Sequence, residues 1–139
     1  MKQTFGIGAV AREAGVGIET VRFYERQGLL AEPERKASGY RQYDKGAIET
    51  LLFIKRAKEL GFTLKEIKGL LALRLDSAAT RADVRQQAQE KVADIEARIA
   101  DLEKMRDTLL VLIKQCNGLG TLSGCPIIEA MQGCEHPQE

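Results

Sequence analysis

The stretch 82–115 contains neither glycine nor proline, and alanine, glutamate, glutamine, arginine and leucine dominate it. All are good helix formers. Ala88, Val92, Ile95, Ile99 and Leu102 recur at three- and four-residue steps, and Met105, Leu109 and Leu112 extend the stripe with a small drift. At about 1.5 Å per residue such a helix is roughly 50 Å long. In a chain of 139 residues that is too long to bury its apolar stripe against the remaining domain. An antiparallel coiled coil with a second copy is the simplest way to cover it. The alternative is a helix folded back on its own domain.

The chain's formal net charge is +1, so total charge carries no strong nucleic-acid signal. The N-terminus mixes polar and apolar residues too early for a secretory signal. No apolar run approaches the ~20 residues that span a bilayer. A soluble, cytoplasmic protein is the expectation.

The opening reads as two short helices and a tight turn. Ile7, Val10 and Ala11 give an apolar face up to Ala14, and Gly15 breaks it. Helical character resumes from Glu19 to Arg26, with Val21 and Phe23 read as inward, and Gly28 ends it. Helix, turn and helix within this span fit a helix-turn-helix unit. Arg22, Tyr24 and Arg26 then face phosphates or base edges. A plain helical hairpin in a small core gives the same pattern.

The next segment, EPERKASGYRQYD, has loop-forming proline, serine and glycine, then Tyr40, Arg41 and Tyr43 in a pattern that suggests a short strand. It reads as a wing, with Arg35, Lys36 and Arg41 near phosphate and Tyr40 packed on the sugar-phosphate backbone. A solvated basic loop is the competing reading. An amphipathic helix follows from Ile48 to Leu60, with Arg56 and Lys58 near its polar side. Gly61 stops it. Thr63 and Glu66 then have the spacing of a capping box, opening a helix through Ile67, Leu70 and Leu71.

Three cysteines, Cys116, Cys125 and Cys134, all lie in the last quarter. An odd, clustered count favours thiol or metal chemistry over a disulfide framework. Cys116 sits where the long helix ends. Cys125 precedes Pro126, and proline favours the first helical position, so Cys125 is expected at the N-cap of a short helix over Pro126 to Met131. There its sulfur faces amide donors, which favour thiolate. Two thiolates joined by a glycine-rich loop suit a soft ion such as Cu(I), Ag(I), Au(I) or Hg(II), whereas Zn(II) needs more ligands. A redox pair, or two inert buried cysteines, remain open. Cys134 and His136 read as a solvated tail, with extra metal ligands or an entry relay as the alternative. With a single histidine and neither a carboxylate pair nor a phosphate-binding loop in evidence, catalysis finds no support.

The segments IGAVAREAGVGIETVRFYERQGLL and GYRQYDKGAIETLLFIKRAKELGFTLKEI resemble the MerR family of bacterial transcription activators. The resemblance covers nearly the whole chain. It implies a mainly α fold: a winged helix-turn-helix DNA-binding domain over 1–75, a long antiparallel dimerisation helix over 80–115, and a C-terminal metal-binding loop, short helix and tail over 116–139. It implies a homodimer on double-stranded promoter DNA, with RNA polymerase as the partner and no enzymatic activity. Metal binding then bends and undertwists an overlong promoter spacer. Arg22, Tyr24, Tyr40, Arg41 and Arg56 are the implied DNA contacts, and Cys116 and Cys125 the implied metal ligands.

CPIIEAMQGC and ADVRQQAQEKVADIEARIADLEKMRDTLL are most similar to the copper-efflux activators of the CueR type, in which two loop cysteines bind a +1 ion linearly. Cu(I) or Ag(I) is therefore the leading expectation, with Hg(II) as the alternative. Two features depart from the copper pattern. Arg81 stands where copper sensors carry serine and several divalent-ion sensors carry cysteine. The eight residues between the loop cysteines exceed the copper-sensor spacing by one and equal that of mercury sensors. A thiol-redox switch and an architectural DNA-binding dimer complete the competing readings.

Overall fold

The computed structural model describes residues 3–35, 39 and 41–133. The chain divides into two compact units, Met1–Lys91 and Val92–Glu139.

The first unit opens with a short strand, β1 (Thr4–Phe5), and helix α1 (Ile7–Ala14). Val10, Ala11 and Ala14 share one buried face of α1, the three- and four-residue spacing that a helix stacks on one side. Gly15 ends α1 in the left-handed region, at φ 71°. Helix α2 (Ile18–Arg26) follows and buries Val21 and Tyr24. Strands β2 (Glu34–Arg35) and β3 (Arg41–Asp44) complete a small antiparallel sheet in the order β1-β3-β2. In its register Phe5 lies opposite Tyr43 and Arg35 opposite Arg41. This sheet is the wing expected from the sequence, with β1 as an added strand.

Helix α3 (Lys45–Glu59) starts directly from β3. Its beginning lies three residues before the expected Ile48, because the Asp44 carboxylate caps it by accepting the Ala47 N–H at 3.2 Å. Helix α4 (Leu64–Leu75) has the expected capping box. The Glu66 N–H donates to Thr63 Oγ1 at 3.2 Å, and the Thr63 N–H donates back to Glu66 Oε1 at 2.8 Å. The core gathers Val10, Val21, Tyr43, Leu51, Ile54 and Ile67 from five elements. Each such buried side chain contributes about 1.5–3 kcal/mol relative to exposure. The Tyr43 hydroxyl donates to the Glu25 carboxylate, tying β3 to α2.

Helix α5 (Arg81–Gln115) is the expected long helix, continuous through the boundary of the two units. Its start is fixed by Asp83, whose carboxylate accepts the Thr80 N–H at 2.8 Å. The second unit holds the rest of α5, a loop, and helix α6 (Pro126–Gln132). Val92, Ile95, Ile99, Leu102 and Met105 are all exposed in the single chain. Among the described residues no helix is long and apolar enough to cross a membrane.

Candidate functional site

Two regions carry the candidate chemistry. The first is the outer face of α2. Ile18, Glu19, Arg22, Phe23 and Arg26 are exposed there, while Val21 and Tyr24 point into the core. The sequence reading had Phe23 inward and Tyr24 outward, and the structure reverses them. The reason is helical geometry: the three-residue step from Val21 to Tyr24 keeps them on one face, whereas a two-residue step carries Phe23 about 200° around. Tyr24 retains 6% of its exposure against 36% for Phe23, so its first role is packing α2 onto the head.

Arg22 is exposed and held 3.1 Å from Glu19. Arg56, on the last turn of α3, is likewise exposed and held 2.9 Å from Glu59. Exposed pairs of this kind are worth about 0–1 kcal/mol, so each orients a guanidinium without locking it away from a phosphate. Arg41 lies at the first position of β3. Tyr40 and Lys36 lie outside the described residues, as do Cys134 and His136.

A contact that the sequence did not announce joins α3 to the helix-turn-helix. Lys55 Nζ donates to the Gly15 carbonyl oxygen at 3.3 Å. The two residues are forty apart in the chain, and no local pattern links them. A second such contact is the burial of Lys91, whose ammonium lies 2.8 Å from Glu66 Oε1. A lysine beside Val92 in an otherwise polar stretch reads as surface, and only the tertiary approach of α5 to α4 buries it.

The second region is the thiol loop. Cys116 follows the last residue of α5, and its N–H donates to the Ile113 carbonyl at 3.1 Å. The loop turns through Gly118, Gly120 and Gly124, all at positive φ, a conformation that costs glycine little. The Asn117 side chain accepts the Leu119 N–H at 2.9 Å and tightens the first bend. Cys125 is the N-cap of α6, with Pro126 at the first helical position, as the sequence implied.

Both thiols are free and half-buried. Cys125 is held below the ordinary thiol range, first by the Ile128 amide, then by the Ile127 amide, with a further contribution from a hydrogen bond to Cys116. No full capping bond closes on the sulfur; the two amides approach it and polarise it, as a helix N-terminus does to an anion. Among the described residues no histidine, carboxylate or further cysteine joins the pair into a set of three or more that could hold a metal. The loop thus carries two free thiols, one biased toward thiolate, and thiolate is a soft-ion ligand.

Known proteins resemble this chain along nearly its whole length. Residues 5–73 match the family model described as MerR HTH family regulatory protein, and residues 48–112 match the model described as MerR, DNA binding. The HTH-type transcriptional regulator CueR of Salmonella typhimurium is 39% identical over 94% of this chain and 94% of its own length. The lead(II) complex of the transcription regulator PbrR691 from Ralstonia metallidurans CH34 superposes with a TM-score of 0.82 at 31% identity, covering 94% of this chain and 99% of that one. The mercury(II) complex of the dual-function regulator MerR from Bacillus megaterium MB1 gives 0.72 at 40% identity, covering 92% and 99%.

Proposed function

Because this chain belongs to the MerR family of DNA-binding regulatory proteins, a family of transcription factors and not of enzymes, we propose that it is a metal-responsive activator working as a homodimer on promoter DNA. The observation that carries this reading is the placement of two free thiols at the ends of one glycine-rich loop, Cys116 just after α5 and Cys125 at the N-cap of α6, where the Ile128 and Ile127 amides favour its thiolate. Those two thiols would hold a soft ion. When bound, it supplies a covalent bridge between the end of α5 and the start of α6.

The reading assigns three parts to the chain: a DNA-binding domain over 1–75, a pairing helix over 80–115 and a metal loop over 116–139. The exposed stripe from Val92 to Met105 supports pairing of α5 with a second copy. The residues Leu109, Leu110, Val111 and Ile113 are exposed as well, and consecutive apolar residues cannot all face one helix seam. They call for a broader cover, which the head of a partner supplies if the two helices run antiparallel. That arrangement sets two heads at opposite ends of the pair, as a palindromic site requires. Arg22 and Arg56, with Tyr40 and Arg41 of the wing, then meet the DNA, while the buried Tyr24 holds α2 on the head. RNA polymerase reads the result as altered promoter shape.

Two soft donors suit Cu(I), Ag(I) or Hg(II), and the 39% identity to the regulator CueR puts Cu(I) or Ag(I) first. An antiparallel pair also brings the first residue of one α5 beside the last of the other. Arg81 of one chain would then neutralise the charge of a bis-thiolate complex on its partner. Hg(II) is the second reading, favoured by the eight-residue loop and by the 40% identity to a protein solved with mercury(II).

The test is a competition titration of the reduced protein with Cu(I), Ag(I), Hg(II) and Zn(II), read by X-ray absorption and paired with transcription assays. Two sulfurs in linear geometry around Cu(I) are expected. Cys116→Ser and Cys125→Ser are expected to abolish induction and keep operator binding. Activation by mercury alone would replace copper by the second reading. A Cys116–Cys125 disulfide that controls output without metal would sink both.

A further inference from the structure

The first three turns of α5, residues 81–91, belong to the same compact unit as the DNA-binding head, yet little apolar surface joins them to it. Among residues 81–91 only Gln87 and Lys91 are drawn out of solvent. Gln87 passes over Gly69 of α4, where an added methyl group would lie 3.6 Å from its amide nitrogen. Lys91 is buried to 5% exposure, a state lysine almost never reaches unless paired.

Its surroundings are specific. The ammonium lies 2.8 Å from Glu66 Oε1 and 5.7 Å from the centre of the Phe62 ring. Its stem runs past Gly61, where a methyl group would meet Lys91 Cδ at 4.0 Å. Gly61, Phe62 and Glu66 form the corner between α3 and α4. One side chain of α5 thus grips that corner through an ion pair, a cation–π contact and packing.

We propose that Lys91 is the positioning residue that sets the angle between each DNA-binding head and the first turns of its own α5, residues 81–91, and that the size of the operator distortion depends on it. This rests on the reading of the chain as a regulator that acts by DNA distortion. A joint glued by apolar area tolerates sliding, because that attraction has no direction. An ion pair with one partner buried and the other half-exposed fixes one geometry and is weak as net adhesion. Such a joint holds its angle sharply and can be shifted by a ligand whose differential affinity for two head positions is modest. Removing the charge leaves the head folded, because Met fills the volume of the lysine stem and Glu66 reaches solvent, but leaves the angle poorly defined.

The experiment uses full-length dimers of the wild type, Lys91→Met and Lys91→Arg. Operator affinity is read by anisotropy. Operator bend is read by energy transfer between dyes at the duplex ends, without metal and with Ag(I) or Hg(II), and the induction ratio by single-round transcription. Lys91→Met is expected to keep operator affinity within about threefold, while its metal-induced change in bend and its induction ratio fall by about two- to thirty-fold. The distribution of bends without metal broadens. Lys91→Arg, which keeps the charge, restores most of the response. The proposal is overturned if Lys91→Met responds as the wild type does, or if it loses affinity and response in equal proportion with no rescue by arginine. If the wild type answers neither ion, the reading as a soft-metal sensor fails. The metal-free bend distribution then decides for Lys91: broadening in the Met variant supports the role, and an unchanged width overturns it.

Discussion

Glu66 Oε1 accepts from two directions at once, from the Thr63 N–H at 2.8 Å and from Lys91 Nζ at 2.8 Å. One carboxylate therefore closes the capping box of α4 and holds the first turns of α5. The Lys91 hydrogen bond is the main cause that lowers its pKa below the ordinary 4.5, with the Thr63 amide second.

A lowered carboxylate pKa has a definite sign in stability. Its contribution is fully present above 4.5 and is lost as pH falls through the lowered value. Glu66→Gln should therefore melt below the wild type at neutral pH, and the gap should close as the pH is taken well under 4.5. Thermal melts of both proteins across that range check this. A gap that persists undiminished in acid would assign the effect to shape and not to charge.

Two glycines make opposite predictions. Gly15 has φ 71°, and a methyl group there would stand 2.7 Å from Lys55 Nζ. Gly15→Ala should destabilise by about 1–2 kcal/mol through left-handed strain, and displace the lysine that reaches the Gly15 carbonyl. Gly69 lies inside α4, where a methyl group meets Gln87 at an ordinary 3.6 Å. Gly69→Ala should stabilise by up to about 1 kcal/mol. Urea denaturation with unchanged slope is the check for both.

The Cys125 thiol should react as a low-pKa group. In a Cys116→Ser, Cys134→Ser variant the rate of iodoacetamide alkylation should reach half its plateau below pH 9.0, the ordinary value. The Ile128 and Ile127 amides remain in that variant and keep the thiolate favoured. Replacing Pro126 by Gly, which loosens the start of α6, should move the midpoint back up.

Ile99 stands at the middle of the α5 stripe with 50% exposure. Ile99→Glu should change the stability of the single chain by no more than about 0.5 kcal/mol. It should convert a dimer to a monomer in sedimentation and weaken operator binding at least tenfold. A monomeric wild type would remove the pairing role from α5.

Much of this was legible because it is local. The capping box needs only Thr63 and Glu66 three residues apart, and the N-cap at Cys125 needs only Pro126 after it. The long helix follows from a run without breakers. The start of α3 was misread because Asp44 looks like the end of a strand until its carboxylate is seen accepting from Ala47. The outward face of α2 was assigned by residue type, and helical period overrules type: Tyr24 packs and Phe23 stands out.

The sequence by itself determined the elements, their caps and the nearness of two thiols at the ends of one glycine-rich loop. These depend on hydrogen bonds and backbone conformations within a few residues, and the amino acids at those positions specify them directly. The tertiary structure alone decided that the wing adds β1 beside β3, that Lys55 reaches the Gly15 carbonyl, and that Lys91 of the long helix is buried against Glu66. Each of these joins residues far apart in the chain. Their pairing depends on how the helices approach one another in space, which no residue type or short-range period encodes.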